Sequence, residues 1–318
     1  MSKSVLSAKH FHDEAAAFEW VEARVWPEGP VCPHCGGVER ISKMQGKSTR
    51  LGTYKCYQCR KPFTVKVGTI FESSHVAMHL WLQAIFLMSS SKKGVSSNQL
   101  HRTLGVTLKT AWFMSHRIRE AMRDGVLTPM GGNGGVVEAD ETYYGRTKEK
   151  KPLLKKRQVP YTKKGWKDKG SARPIVALVE RGGRVRTFHV EHADKATVSR
   201  IVTENVVRET RLHTDESRLY TGADQYFEAH ETVHHSSGEY VRGDVHTNSA
   251  EGFFSIFKRG MRGIYQHCSE KHLHRYLAEY DFRYNNRVGL GVNDIARAEQ
   301  AIKGIVGKRL TYQTTREG

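Results

Sequence analysis

The stretch VVEADETYYG, residues 136–145, alternates apolar and polar side chains and then turns acidic. That pattern reads as a β-strand delivering Asp140 and Glu141 at its end. Upstream, MGGNGG, residues 130–135, has the composition of a linker. Downstream, SARPIVALVERGGRVRTFHVE offers two strands joined at Gly182 and Gly183, a hairpin signal. ADKATVSRIVTENV, residues 193–206, reads as a helix, and RETRLHTDESRLY as a strand that again delivers an acid, Asp215. VHTNSAEGFFSIFK, residues 245–258, then reads as a helix.

Acids on the first and fourth strands and on a late helix are the layout of an RNase H-like α/β fold. The expected catalytic domain is a mixed five-stranded sheet with helices, over residues 131–318. A chain of 318 residues exceeds one typical domain, so further units are expected before it. The formal net charge of +18 favours a polyanionic partner, nucleic acid above all, over a merely soluble basic surface. No apolar run is long enough to span a bilayer, and MSKSVLSAKHFHDEAAAFEW has no signal-peptide core. A cytosolic location with no membrane partner is therefore expected.

Four of the five cysteines form two CxxC pairs, Cys32 with Cys35 and Cys56 with Cys59, about twenty residues apart. Each turn points two thiolates at one spot, and two turns complete the closed tetrahedral shell of a structural Zn²⁺. Thioredoxin-like redox chemistry would need one CxxC beside a βαβ pattern, which is missing. Strand-like residues follow in RKPFTVKVGTIF, and residues 1–75 are expected as a zinc-ribbon domain. Cys268 stands alone and reads as a packed thiol.

Residues 76–130 are expected as a helix-turn-helix module. Leu80, Ala84, Leu87 and Met88 mark one amphipathic helix; Leu100, Leu104 and Val106 mark a short second one. Gly105 makes the turn, and Thr107 can cap a third helix with Trp112, Met114, Ile118 and Met122 inward. Lys109, Arg117 and Arg119 are left for faces that would meet DNA, with the last helix in the major groove. An ordinary three-helix packing element is the competing reading.

In order, CPHCGG, KCYQC, VEADETYYG, HTDESRLY, HTNSAEGFFSIFKRGMRGIYQH and RYLAEYDFRYNNR make the chain resemble bacterial insertion-sequence transposases of the DDE superfamily, from about residue 11 to residue 312. The branch is the one that joins a zinc ribbon and a helix-turn-helix to an RNase H-like catalytic domain. The resemblance implies binding of terminal inverted repeats, then metal-dependent cleavage and strand transfer. Its acids would be Asp140, Asp215 and a residue of the late helix, holding Mg²⁺ or Mn²⁺. Glu251 lies 36 positions after Asp215, the spacing familiar in many such enzymes, and Lys258 seven further on suits a phosphate contact. Because this branch is often described with Asn in the third position, the resemblance implies either Asn248 or Glu251.

Chemistry gives an independent reason for these residue types. Two metal ions about 4 Å apart can stabilise both attacking and leaving oxygens of an in-line displacement, and hard Mg²⁺ prefers carboxylate oxygens. At about 100° per residue, Asn248, Glu251, Ser255 and Lys258 share roughly a quarter of the helix, with Phe253, Ile256 and Phe257 opposite. Charge and spacing favour Glu251, with Asn248 as rival or second contributor. The bland reading makes Asn248 a helix cap and Glu251 a first-turn acid.

Glu138 shares a strand face with Asp140 while Glu141 takes the other, so either neighbour could be a solvated or salt-bridged acid. Asp215 could instead be a turn former. His213 and His246 border the expected site as phosphate contacts or proton carriers, although a lone histidine is more often structural. Residues 145–170 hold eleven Lys or Arg against two acids. Lys155, Lys156, Arg157, Lys163 and Lys164 would neutralise DNA phosphates there, and Trp166 could stack on a base. KHLHRYLAEYDFRYNNR reads as a closing helix with Tyr276, Leu277, Tyr280 and Phe282 as core. Joining two ends implies at least a dimer on DNA. The rival functions are a nuclease of the same fold and a non-catalytic DNA-binding derivative.

Overall fold

The computed structural model describes residues 4–125, 128–145 and 173–311. It divides into two compact units, residues 1–124 with 286–318, and residues 125–285.

The first unit holds the ribbon and the helices. Strands β1 (Ile41–Lys43), β2 (Tyr54–Cys56) and β3 (Pro62–Phe63) form a small antiparallel sheet. Beyond Phe63 the strand-like run RKPFTVKVGTIF breaks into turns, because Val65, Ile70 and Phe71 are pulled into the core. Helix α1 (Glu14–Val25) is not among the expected elements; α2 (Met78–Ser90), α3 (Ser97–Leu104) and α4 (Leu108–Ala121) follow the expected order, with Ser96 and Thr107 capping α3 and α4. Gly105 turns between them at φ +66°, a left-handed angle that suits glycine.

The expected boundary between residues 1–75 and 76–130 does not separate two bodies. The Glu14 carboxylate of α1 accepts the Met78 and His79 backbone N–H groups, at 2.7 and 3.2 Å, and so caps α2. The expected end of the catalytic domain is also corrected. Residues from 286 onward pack with the first unit: α8 (Asp294–Lys303) buries Ala298, Ala301 and Ile302, Arg297 donates to Ser89 O at 3.1 Å, and Glu299 pairs with Arg24.

The second unit is the mixed α/β body. Strands β4 (Gly135–Tyr144), β5 (Arg173–Glu180), β6 (Val185–His189), β7 (Thr210–Asp215) and β8 (Ala229–Val233) lie in the order β6-β5-β4-β7-β8. β4, β5 and β6 pair antiparallel, and β7 and β8 run parallel to β4, which is the RNase H-like arrangement. The Gly182–Gly183 hairpin falls where the sequence predicts it. α5 (Lys195–Asn205) covers one face with Val198, Ile201 and Val202 against Val137, Ala139 and Leu212. α6 (Asn248–Gly260) and α7 (Leu273–Asn285) cover the other, with Phe253, Phe254, Phe257, Tyr276 and Tyr280 against Ile175, Ala177 and Val179. No helix among the described residues is long and apolar enough to cross a membrane.

Candidate active site

Strand period sets the site. Glu138, Asp140 and Thr142 alternate with Val137, Ala139 and Glu141, so Glu138 and Asp140 point toward the α6 face. The parallel register pairs Val137 with Leu212 and Glu138 with His213. Carried two residues further, it sets Asp140 beside Asp215 at the carboxyl edge of the sheet.

Asp140 Oδ1 accepts the Glu141 N–H at 2.7 Å, and Asp215 Oδ1 accepts the Ser217 N–H at 3.0 Å. Burial, reinforced by Glu141, Asp215 and Glu251, pushes the Asp140 carboxyl up to about 8. Burial likewise raises Asp215, against the opposing pull of the Ser217 N–H and His235. Glu141, on the other face, accepts from Ser217 Oγ at 3.1 Å and Tyr220 OH at 3.0 Å; it braces the turn after β7 and is raised by burial and by Asp215.

Helix α6 forms because its aromatic stripe has a core to enter; Phe257 packs edge-to-face on Tyr144 and Tyr280. The opposite stripe exposes Asn248 and Glu251 and half-buries Ser255 and Lys258. Glu251 Oε1 lies 3.6 Å from His235 Nδ1. Burial lowers the Lys258 ammonium while Asp140 pulls it back up, so this cation sits within electrostatic reach of the first acid.

Asn248 does not cap the helix. Thr247 occupies the cap position without a side-chain bond, and the amino-end N–H groups go to Glu138 instead. Of the two readings the sequence offers for Glu138, solvated or salt-bridged, the structure shows the second: it is fully buried and pairs with Arg181 at 2.9 Å. His213, also fully buried, lies 3.3 Å from Arg181 and 3.2 Å from Glu231, and His246 lies 3.3 Å from Glu138. Both histidines belong to the network around that carboxylate.

The donor set fits a hard cation. Asp140, Asp215 and Glu251 offer only oxygens; burial holds Asp140 and Asp215 above the ordinary carboxylate range and neighbouring acids raise Asp140 further, a penalty that a bound dication would relieve, while Glu251 stays exposed.

The ribbon site is separate. The Sγ atoms of Cys32, Cys35, Cys56 and Cys59 lie within 4.8 Å of one another, with Cys32–Cys59 at 3.6 Å and Cys35–Cys56 at 3.8 Å. A tetrahedron with Zn–S of about 2.3 Å has edges of about 3.8 Å, so the four thiols suit a structural zinc ion. The backbone N–H of Cys59 pulls the Cys56 thiol down, toward the thiolate that zinc requires.

The basic residues divide. Lys109 is exposed on the first turn of α4. Arg117 and Arg119, expected to face DNA, are buried, at 5% and 1% exposure. Arg117 donates to Ile70 O at 2.7 Å, Glu72 O at 2.8 Å and Leu310 O at 3.1 Å, and Arg119 to Ser115 Oγ at 3.1 Å. Both are turned into the unit, Arg117 by backbone carbonyls distant in sequence and Arg119 by a hydroxyl one turn back on α4. Arg117→Ala is expected to cost about 2–4 kcal/mol by leaving buried carbonyls unpaired, and Lys109→Ala less than about 0.5 kcal/mol, measured by urea unfolding. Lys155, Lys156, Arg157, Lys163, Lys164 and Trp166 lie outside the described residues.

Two family models match the chain. A model of an ISXO2-like transposase domain matches residues 133–285, and a model of a transposase zinc-ribbon domain matches residues 12–62. An "Uncharacterized protein in transposable element ISH50" of Halobacterium salinarum is 29% identical over 294 residues, 88% of this chain and 93% of the relative. Among solved structures, a pre-cleavage Mos1 transpososome is 11% identical with a TM-score of 0.28, covering 70% of this chain and 73% of that one. A Mos1 paired-end complex with the left transposon end is 12% identical with the same TM-score and coverage. Likeness that distant carries no argument about mechanism. The two domain models, in the order the sequence predicts and covering more than half of the chain, assign it: the chain belongs to the insertion-sequence transposases that join a transposase zinc-ribbon domain to an ISXO2-like transposase domain.

Proposed function

We infer that the chain binds the terminal inverted repeats of its element, cleaves DNA there and transfers the freed strand to target DNA, using Mg²⁺ or Mn²⁺. The observation that carries this reading is the pair Asp140 and Asp215 on adjoining parallel strands, with the Asp140 carboxyl pushed up to about 8 by burial and neighbouring acids. Asp140 and Asp215 would hold the metal, with Glu251 the favoured third ligand and Asn248 the rival. Ions held there would supply Lewis-acid stabilisation of the attacking and leaving oxygens.

The chain's own residues do the rest. Lys258, close enough to feel Asp140, would neutralise a phosphate oxygen of the scissile group. In the first reaction a water oxygen bonds to phosphorus, the bond to the 3′ oxygen breaks, and a 3′-hydroxyl and a 5′-phosphate result. In the second, that 3′-hydroxyl attacks a target phosphodiester and a target 3′-hydroxyl leaves, so one phosphodiester is exchanged for another.

DNA contact is supported by the net charge of +18 and by residues 73–119, which contain no Asp or Glu. Among the exposed residues of that run, Lys92, Asn98, Gln99 and Arg102 join Lys109 as contacts. The basic run at 145–170 would add phosphate contacts through Lys155, Lys156, Arg157, Lys163 and Lys164. Pairing two ends calls for at least a dimer on DNA, in a cytosolic, nucleoid-bound setting.

The test incubates end-containing DNA and a target plasmid with Mg²⁺ and the wild type, Asn248→Ala or Glu251→Ala. Joined products from the wild type support a transposase; nicks without joining would reduce it to a nuclease. Loss of both reactions in Glu251→Ala with activity retained in Asn248→Ala makes Glu251 the ligand, and the reverse pattern makes it Asn248.

A further inference from the structure

We propose that Glu138 is a positioning residue of the metal site: it clamps the amino end of α6 to β4 and thereby fixes the third ligand over Asp140. The proposal rests on the functional reading above for what is positioned, and on hydrogen bonds for the clamp itself.

Glu138 is fully buried and every contact it makes is specific. Oε2 accepts the backbone N–H groups of Ser249 at 2.7 Å and Ala250 at 3.1 Å. Oε1 accepts Ser249 Oγ at 2.9 Å and, from Arg181, Nη2 at 2.9 Å and Nε at 3.2 Å. Ser249 and Ala250 are the second and third residues of α6, whose N–H groups a local cap residue ordinarily satisfies. Thr247 gives no such bond, so a sheet carboxylate 111 residues upstream of Ser249 does that work. Backbone N–H donors fix the helix axis and not just one side chain.

The tether sits close to the chemistry on both sides. Asp140 is two residues along the same strand face, about 7 Å. Glu251 is two residues further along the helix, a rise of about 3 Å, and Asn248 immediately precedes Ser249. Because Glu138 takes the capping duty, the Asn248 side chain is left exposed with no hydrogen bond to the described residues. Arg181 extends the clamp: it also donates to Asp244 O at 2.7 Å and to His246 O at 3.3 Å, holding the chain that leads into α6. A carboxylate that were only balancing Arg181 would have no reason to point its second oxygen at two helix N–H groups.

The experiment compares the full-length, zinc-loaded wild type with Glu138→Gln. Backbone amide exchange at Ser249 and Ala250 is followed without metal, and Mn²⁺ binding by the loss of the free-ion resonance signal. Glu138→Gln is expected to speed exchange of these two amides at least tenfold while amides of α7 stay unchanged, and to weaken Mn²⁺ binding about tenfold. If it does not fold, Ser249→Ala, which removes one hydroxyl from the same carboxylate, is expected to weaken Mn²⁺ binding about threefold. Unchanged exchange and unchanged Mn²⁺ affinity in a folded variant would overturn the clamp. Faster exchange with unchanged Mn²⁺ affinity would overturn the positioning role and leave Glu138 a helix cap. A wild type that binds no Mn²⁺ would overturn the functional reading, while exchange would still report on the tether.

Discussion

Asp140→Asn is expected to abolish strand cleavage, by at least about a thousandfold, and at the same time to stabilise the metal-free chain. The loss follows from removing a carboxylate that would hold the metal, since metal-site electrostatics of this kind supply several kcal/mol of transition-state stabilisation. The gain follows from linkage. The Asp140 carboxyl is raised from an ordinary 3.8 to about 8 by burial and neighbouring acids. Between those two values the folded chain keeps a proton that the unfolded chain has lost. Stability therefore falls as pH rises from about 4 to about 8, and it is the high-pH side that is penalised. Asparagine cannot ionise, so the variant loses that slope, with a gain on the order of a few kcal/mol near pH 8. Thermal unfolding of zinc-loaded, magnesium-free protein across this range checks it. Mg²⁺ should raise the wild-type Tm most at the high end and leave Asp140→Asn nearly unmoved.

Cys56→Ser or zinc chelation is expected to unfold the ribbon. Its core is only Cys32, Cys56 and Phe63, packed by partly buried Trp26, Ile41, Tyr54, Cys59 and Val67, and its three strands are short. So small a core cannot offset chain entropy alone, whereas structural zinc contributes binding free energy on the order of 10 kcal/mol. Proteolysis between residues 32 and 59 should accelerate at least a hundredfold after chelation. Replacing zinc with Co²⁺ in the wild type should give the absorption of tetrahedral thiolate coordination, and Cys56→Ser should weaken or shift it. Affinity for end DNA should fall with the ribbon.

Much of this was legible in the sequence because it is local. Two CxxC turns, the Gly182–Gly183 hairpin, the acids near strand ends and the polar-against-aromatic faces of 245–258 each lie within one short window. What was not legible depends on partners far along the chain. Arg117 and Arg119 look like surface cations on an amphipathic helix, and only the carbonyls of Ile70, Glu72 and Leu310 show where Arg117 goes. α2 is apolar on most sides, so periodicity picked Leu80 and Leu87 where Trp81, Leu82 and Ile85 are the buried residues. β8 reads AHETV, a half-buried edge strand without a clear apolar face. The residues from 286 onward gave no signal that they return to the helices of the first unit. Glu138 is the instructive case: two residues before Asp140 it looked like a spare acid, and its meaning lies in two N–H groups more than a hundred residues away.

If the carboxyl edge of the sheet, with α6 beside it, is a divalent-metal site, the ion can be located directly. Mn²⁺ soaked into crystals of the zinc-loaded chain tests it through anomalous scattering. A peak is expected within about 2.5 Å of carboxylate oxygens of both Asp140 and Asp215, completed by Glu251 or Asn248. A peak only at surface acids elsewhere, or none at this edge while the carboxylates are ionised, would contradict it.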